Sequence, residues 1–184
     1  MKSRGKFLPL RLHIRVESAG ELEAPMATAL KAACIADGCI LRIEGRGTMK
    51  ESLVARELTA RTLTAADNAR MIFDLCDCEY LDSTFLGGLV ELRNRFPNRF
   101  AIAAPVATRK KLLGPLRLDR IIPCIDSAPG ASGAWVDVKV PAEDKNELLT
   151  HVMHSHRLLS EFDTPMKSTF ARIADQMAGE LGRI

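Results

Sequence analysis

Three histidines, His151, His154 and His156, fall in one segment with helical apolar spacing. His151 and His154 stand about one turn apart, a spacing at which two imidazoles can share a metal ion. No carboxylate or thiolate is matched to them, so a solvated helix face accounts for them better, with His156 at the edge of the apolar stripe. Cys76 and Cys78 have the same-side spacing of an extended segment, and small thiols so placed are more often packing residues than a metal or redox pair. With Cys34, Cys39 and Cys124 they make five, an odd number without a CxxC pair. Gly45-Arg46-Gly47 lies between strand-like and helix-like segments, the context of a dinucleotide fingerprint, but Lys50 stands where the third glycine belongs. No phosphate loop of the form GxxxxGK[ST] and no nucleophile elbow GxSxG occurs in the chain. The residues therefore predict no catalytic constellation, no cofactor and no metal: a protein that is not an enzyme.

One group is left. Asp82-Ser83-Thr84-Phe85-Leu86-Gly87-Gly88 opens an amphipathic segment seven residues after Leu75, the end of a buried apolar run. A hydroxyl at such a helix start is exposed, and the free N–H groups with the positive end of the helix dipole favour a phosphoryl group there. Two glycines inside a helix cost about 1 kcal/mol each relative to alanine, so something is expected to approach closely, either the sheet or a docked partner. Helix capping alone is the commonest use of Asp, Ser and Thr at this place, and local chemistry by itself favours that role.

The elements that must position this group follow from periodicity. Residues 8–16 alternate apolar and polar, a strand pattern within an N-terminal arm (1–28) that is either genuine or an upstream addition to a chain starting at Met26. Leu30–Ile35 and Cys39–Glu44 flank Ala36-Asp37-Gly38, and the Asp-Gly pair predicts a hairpin with a type I′ turn. Thr48 and Glu51 have capping-box spacing at the start of a helix running to about Leu63. Met71-Ile72-Phe73 and Leu75 form a central strand, followed by a loop through Glu79-Tyr80. Asp82 or Ser83 then caps a helix whose Phe85, Leu89, Leu92 and Phe96 form one stripe. A strand at Phe100–Ala104, a short basic helix at Ala107–Leu113 and a strand at Ile121–Ile125 complete an α/β sheet with parallel neighbours and an antiparallel first strand. Residues 127–140 pattern as a linker with an extended end at Trp135–Val140. The remainder, 141–184, predicts two helices in a hairpin. Leu148, Leu149, Val152, Met153 and Leu159 line the first. The second is capped by Thr164 with Pro165 at its first position and striped by Met166, Phe170, Ile173, Met177 and Leu181. Those stripes need a cover, from the sheet domain or from a second subunit in a homodimer.

Composition limits the partners. The balance of 26 basic against 23 acidic residues gives +3, with much of the excess in the first 15 residues, and aromatics make up 5%. Neither a basic face nor a stacking platform for nucleic acid is implied. No apolar run approaches the ~18 residues of a membrane span, and the N-terminus lacks the apolar core of a secretory signal. A cytoplasmic protein with reduced thiols and no membrane contact is expected.

Residues 74–87 resemble the signature of the STAS domain family, the anti-sigma factor antagonists: a strand ending in Asp-Leu, a short loop with an aromatic residue, then Asp-Ser-Ser/Thr-Gly-Leu-Gly. Here it stands as Asp74-Leu75, Tyr80 and Asp82-Ser83-Thr84-Phe85-Leu86-Gly87. Gly38–Gly45 is similar to the family's strand before its first helix, and Leu112-Leu113 with Leu118–Ile121 is similar to its short helix and turn before the last strand. The likeness covers residues 29–126. It implies a mixed sheet of four to five strands flanked by helices, here with the C-terminal helical hairpin added. It also implies a phosphorylation-controlled binding module in partner switching. By position the acceptor is Ser83, with Thr84 second, and the partner-binding set is Asp82, Ser83, Thr84, Phe85 and Gly87. The implied partner is an anti-sigma factor with serine kinase activity, and a phosphatase is a further candidate. Phe85 departs from the family's glycine and is expected to alter the surface beside the acceptor. A different implication of the same likeness is an accessory or assembly subunit of a membrane lipid or anion transport system.

Overall fold

The computed structural model describes residues 29–140 and 144–183. The strand pattern of residues 8–16 and the first three residues of the expected helical segment 141–184 lie outside the described residues.

Strands β1 (Ala29–Ile35) and β2 (Gly38–Gly47) form the expected antiparallel hairpin. Its turn differs from the expectation. Ile35 pairs with Gly38, so the loop is Ala36-Asp37, and neither residue has a positive φ, as a type I′ turn would require. Gly38 serves the next strand instead: a Cβ there would lie 1.8 Å from the Arg70 carbonyl oxygen. Asp37 ties the same corner, its carbonyl accepting from Arg70 N at 2.8 Å and its carboxylate pairing with the Arg70 guanidinium at 2.6 Å.

Strand β3 (Arg70–Asp74) pairs parallel with the first half of β2, and β5 (Phe100–Ala103) pairs parallel with β3. Two-residue strands extend both edges, β6 (Cys124–Ile125) beside β5 and β7 (Val136–Asp137) beside β1. The segment expected to be a linker thus runs back along the hairpin, held by Val138 N on Leu30 O at 2.8 Å and Ser132 N on Cys34 O at 2.9 Å. The stretch expected to be a loop at Glu79-Tyr80 is strand β4 (Cys78–Leu81), paired parallel with the end of β2 beyond the reach of β3.

Helix α1 (Met49–Ala65) leaves the end of β2, and α2 (Ser83–Arg95) leaves the end of β4. Both pack on one face of the sheet over a core that includes Leu41, Ile43, Met71, Phe73, Phe85, Leu89 and Ile102. The α1 C-terminus has no basic residue of its own. Arg99, just after the left-handed Asn98, supplies the cation instead, donating to the carbonyls of Leu63, Ala66 and Ala69. The short basic helix α3 (Val106–Leu112) and two 3-10 turns lead to β6. The opposite face of the sheet carries a smaller cluster, Ile35, Ile40, Ile72 and Ala103, against which Ala128 and Trp135 pack.

Helices α4 (Lys145–Leu159) and α5 (Lys167–Leu181) form the expected hairpin. It folds back onto the domain, with α4 against α2 and α1. Two details differ from the sequence reading. Thr164-Pro165 is not the start of α5, which begins after Met166; Lys167 N bonds the Thr164 carbonyl at 3.0 Å, closing a turn, while Thr164 Oγ1 caps nothing. Met166 is exposed, Phe170 is buried, and Ile173, Met177 and Leu181 are half-buried.

Candidate functional site

The pairing of β4 with β2 sets the geometry. Each strand feeds a helix, and Asp82 N donates to the Gly47 carbonyl at 3.0 Å, so the first turns of α1 and α2 lie side by side. The Asp82 carboxylate bridges them. Oδ1 accepts from Phe85 N at 2.8 Å, the N-cap bond of α2, and Oδ2 accepts from Met49 N at 2.8 Å in the first turn of α1. Burial pushes the Asp82 carboxyl above the usual carboxylate range; the N–H groups of Phe85, Met49 and Thr84 oppose that rise, and the nearby Glu51 adds to it. Glu51 is committed to α1, where its carboxylate accepts from Thr48 N at 2.9 Å and from the Thr48 hydroxyl at 2.6 Å.

Ser83, the first residue of α2, is half-buried, and its hydroxyl meets a histidine rather than open solvent. Ser83 Oγ lies 2.8 Å from His156 Nε2, and His156 Nδ1 lies 2.8 Å from the Val152 carbonyl. A carbonyl only accepts, so Nδ1 carries a hydrogen. In the neutral ring Nε2 is then the acceptor, and the Ser83 hydroxyl donates to it. A second serine–histidine pair lies alongside. Ser52 Oγ of α1 is 2.9 Å from His151 Nε2 and 3.4 Å from the Thr84 carbonyl. The arrangement that leaves no buried N–H without a partner has Nε2–H donating to Ser52 and the Ser52 hydroxyl donating to Thr84 O. His151 Nδ1 is then a bare acceptor. Burial, helped by Arg56 and His154, lowers the His151 pKa to about 4.

The histidines were expected on a solvated face. Only His154 is exposed, with Nε2 3.8 Å from Glu91; His151 and His156 are 2% and 4% exposed. The face that α4 buries is made of His151, Ser155, His156 and Leu159, and the expected residues Leu148, Leu149, Val152 and Met153 lie at its flanks, half-buried. The cause is at Gly87 and Gly88. A Cβ on Gly87 would lie 2.5 Å from Ser155 O, and one on Gly88 would lie 2.7 Å from Ser52 Oγ. Backbones this close leave room for serine and for flat imidazoles, not for leucine. The close approach expected of these glycines is therefore made within the chain, by Ser155 of α4 at Gly87 and by Ser52 of α1 at Gly88.

Of the five residues assigned to partner binding, the structure gathers all at the start of α2 but presents few of them. Asp82 and Ser83 are partly exposed, Thr84 is buried, and Gly87 is under α4. Phe85 does not shape the surface: it is 1% exposed and stands edge-on to Phe73 with centroids 6.4 Å apart. Its ring occupies the space that a side chain at position 47 would fill, since a Cβ on Gly47 would lie 2.9 Å from Phe85 Cδ2. Sequence reasoning missed His156 as a partner of Ser83. The available signal was a histidine at the margin of an apolar stripe in a helix of unknown cover.

Asp74, the aspartate of the signature, is buried and pairs with Arg42 Nε at 2.9 Å, while Arg42 lies over the Trp135 ring at 4.1 Å. Cys76, Cys39 and Cys78 are free thiols pushed up to about 11, chiefly by burial. Among the described residues, no group of three His, Cys, Asp or Glu is placed to hold a metal ion, and no helix is long and apolar enough to cross a membrane.

No family model matches the chain, and no curated protein matches it in sequence. Among solved structures, it is similar to the crystal structure of an anti-sigma factor antagonist from Mycobacterium paratuberculosis, at 17% identity and a TM-score of 0.47, over 58% of this chain and 92% of that one. The fold is that of a mixed α/β sheet with helices on one face and a C-terminal helical hairpin added.

Proposed function

We propose that this protein is an anti-sigma factor antagonist: a binding module, not an enzyme, whose docking to an anti-sigma factor with serine kinase activity is controlled by phosphorylation of Ser83. The observation that carries this reading is the placement of Ser83. Its hydroxyl stands at the first position of α2, next to a carboxylate that already neutralises Phe85 N and Met49 N, in the motif that resembles the family signature. A phosphate on Ser83 would add about −1.5 to −2 charge at neutral pH beside Asp82. Helix α2, with its positive N-terminal end, tolerates that charge in this chain. A partner surface fitted to a neutral hydroxyl does not, because docking would strip water from the phosphate. The fold survives and binding is lost.

The test is phosphopeptide mapping of the protein from its native cells, followed by labelling of variants with ATP and the kinase found there. Ser83→Ala should abolish labelling and retain partner binding; Ser83→Asp should fold normally and bind weakly. Label that persists on Ser83→Ala places the acceptor elsewhere, with Thr84 the next position to examine. Tight binding by Ser83→Asp refutes the electrostatic block.

A further inference from the structure

We infer that the α4–α5 hairpin is a detachable cover over Ser83, an internal occupant of the face on which the proposed partner docks, and that it must leave before that hydroxyl can be modified or bound. The idea rests on the proposed role of Ser83 for its biological meaning, but its physical content stands apart from it.

The hairpin sits where a cover would. His156 takes the Ser83 hydroxyl proton bond at 2.8 Å, and Ser155 fills the notch at Gly87 one turn further along α2. The seal is held behind by Phe170 of α5, whose ring centre is 5.8 Å from that of His156. A kinase or a docking protein approaching the Ser83 oxygen would meet this layer first.

The interface is also built to part. The face that α4 buries against α2 is largely polar, and it is imperfectly satisfied: Ser155 Oγ and His151 Nδ1 are both buried without a hydrogen-bond partner. Water would satisfy both atoms when the hairpin lifts, so each unmet bond favours the open state. A permanent core at this place would use leucine on α4 and a residue larger than glycine on α2. The glycines have the opposite effect on α2 once α4 has gone, leaving a shallow helix face with backbone exposed around residues 87 and 88, onto which another small-residue helix can dock. Strands β1, β2, β3 and β5 pair with one another and with β4, β6 and β7, and none pairs with α4 or α5, so the hairpin can move without unpairing them.

The experiment uses the full chain carrying Ser83→Cys as a reporter, with iodoacetamide as the probe and peptide mass mapping to read alkylation at position 83. Two second-site variants lift the cover from opposite sides: Gly87→Leu, whose side chain overlaps Ser155, and Ser155→Leu, which overlaps Gly87. Each should raise the alkylation rate at position 83 at least tenfold over the reporter alone. Amide exchange in residues 145–181 should rise with it, while residues 70–74 and 100–103 keep their protection. Faster exchange in the hairpin with an unchanged alkylation rate would show that the hairpin does not guard the hydroxyl. Loss of protection in β3 and β5 in both variants would show that the hairpin is part of the indivisible core. Either result overturns the inference. No kinase enters the measurement, so a failed cover is distinguishable from a failed acceptor: a cover that opens as described over a Ser83 that is never phosphorylated in cells would refute only the acceptor.

Discussion

At the level of single residues, Asp82 has the most to lose. One carboxylate caps α2 and accepts from the first turn of α1, so its removal leaves N–H groups of both helices without a partner. Asp82→Ala should cost about 2–3 kcal/mol, the sum of a lost cap and a second unmet donor, seen as a lower urea midpoint. Asp82→Asn should recover much of that, because the amide oxygen still accepts; equal losses in the two variants would mean that charge rather than the bond matters. Cys76 gives a second measurement. It is exposed, yet its thiol is raised to about 11 by desolvation and by the neighbouring Asp74. At pH 8 its alkylation should be roughly ten- to a hundredfold slower than that of a free thiol in solution. Both Asp82 and Ser83 were legible in the sequence, because a cap and a helix start announce themselves within four residues. His156 was not, since its partner lies 73 positions away and no local pattern records such a pairing.

Among elements, the sequence told most about those with a clear period and least about those whose role is set by a neighbour. The hairpin, α1, α2, β3 and β5 stood where their apolar spacing put them. Strand β4 did not announce itself, because its burial pattern is set by a parallel partner that arrives from residues 45–47. Helix α4 was found but its inner face was misjudged: leucines usually define a buried face, and here the glycines of α2 select serine and histidine instead. That choice has a pH consequence. Docked His151 stays neutral down to about pH 4, facing Ser52 and Arg56 of α1 with His154 beside it on its own helix; freed, it takes a proton near 6.5. Its folded pKa is depressed, so its contribution is present above pH 6.5 and is lost as the pH falls towards 4, to a limit of about 3 kcal/mol. The opening population of residues 145–159, read from amide exchange divided by the intrinsic rate at each pH, should therefore rise as the pH falls from 6.5 to 4. His151→Phe should flatten that response, and an equally steep rise in the variant would put the titrating group elsewhere.

For the molecule as a whole, the sheet with α1 and α2 forms one continuous core, and the hairpin joins it through Leu159 and Phe170. Phe170→Ala removes the ring behind His156 and should cost about 3–5 kcal/mol of hairpin docking. The expected signature is a two-step unfolding curve in which the hairpin opens first and the sheet melts near its original temperature. A single transition shifted as a block would mean that the two parts unfold together. Of the apolar stripes on the hairpin, only Leu159 and Phe170 are buried within one chain; Met166 is exposed and the other stripe residues are half-buried.

The contact between Gly87 and Ser155 binds two distant positions to a common fate. A side chain at 87 has no place to go while Ser155 O sits 2.5 Å from where its Cβ would be. Drift at either position is therefore conditional on the other: a lineage that keeps the hairpin seated must keep 87 bare and 155 small, and one that fills 87 must have lost the hairpin or swung it aside. In an alignment of chains that carry this hairpin, a side chain at 87 would mark one in which the C-terminal helices no longer close over the serine; a glycine there is also part of the signature itself and marks nothing alone.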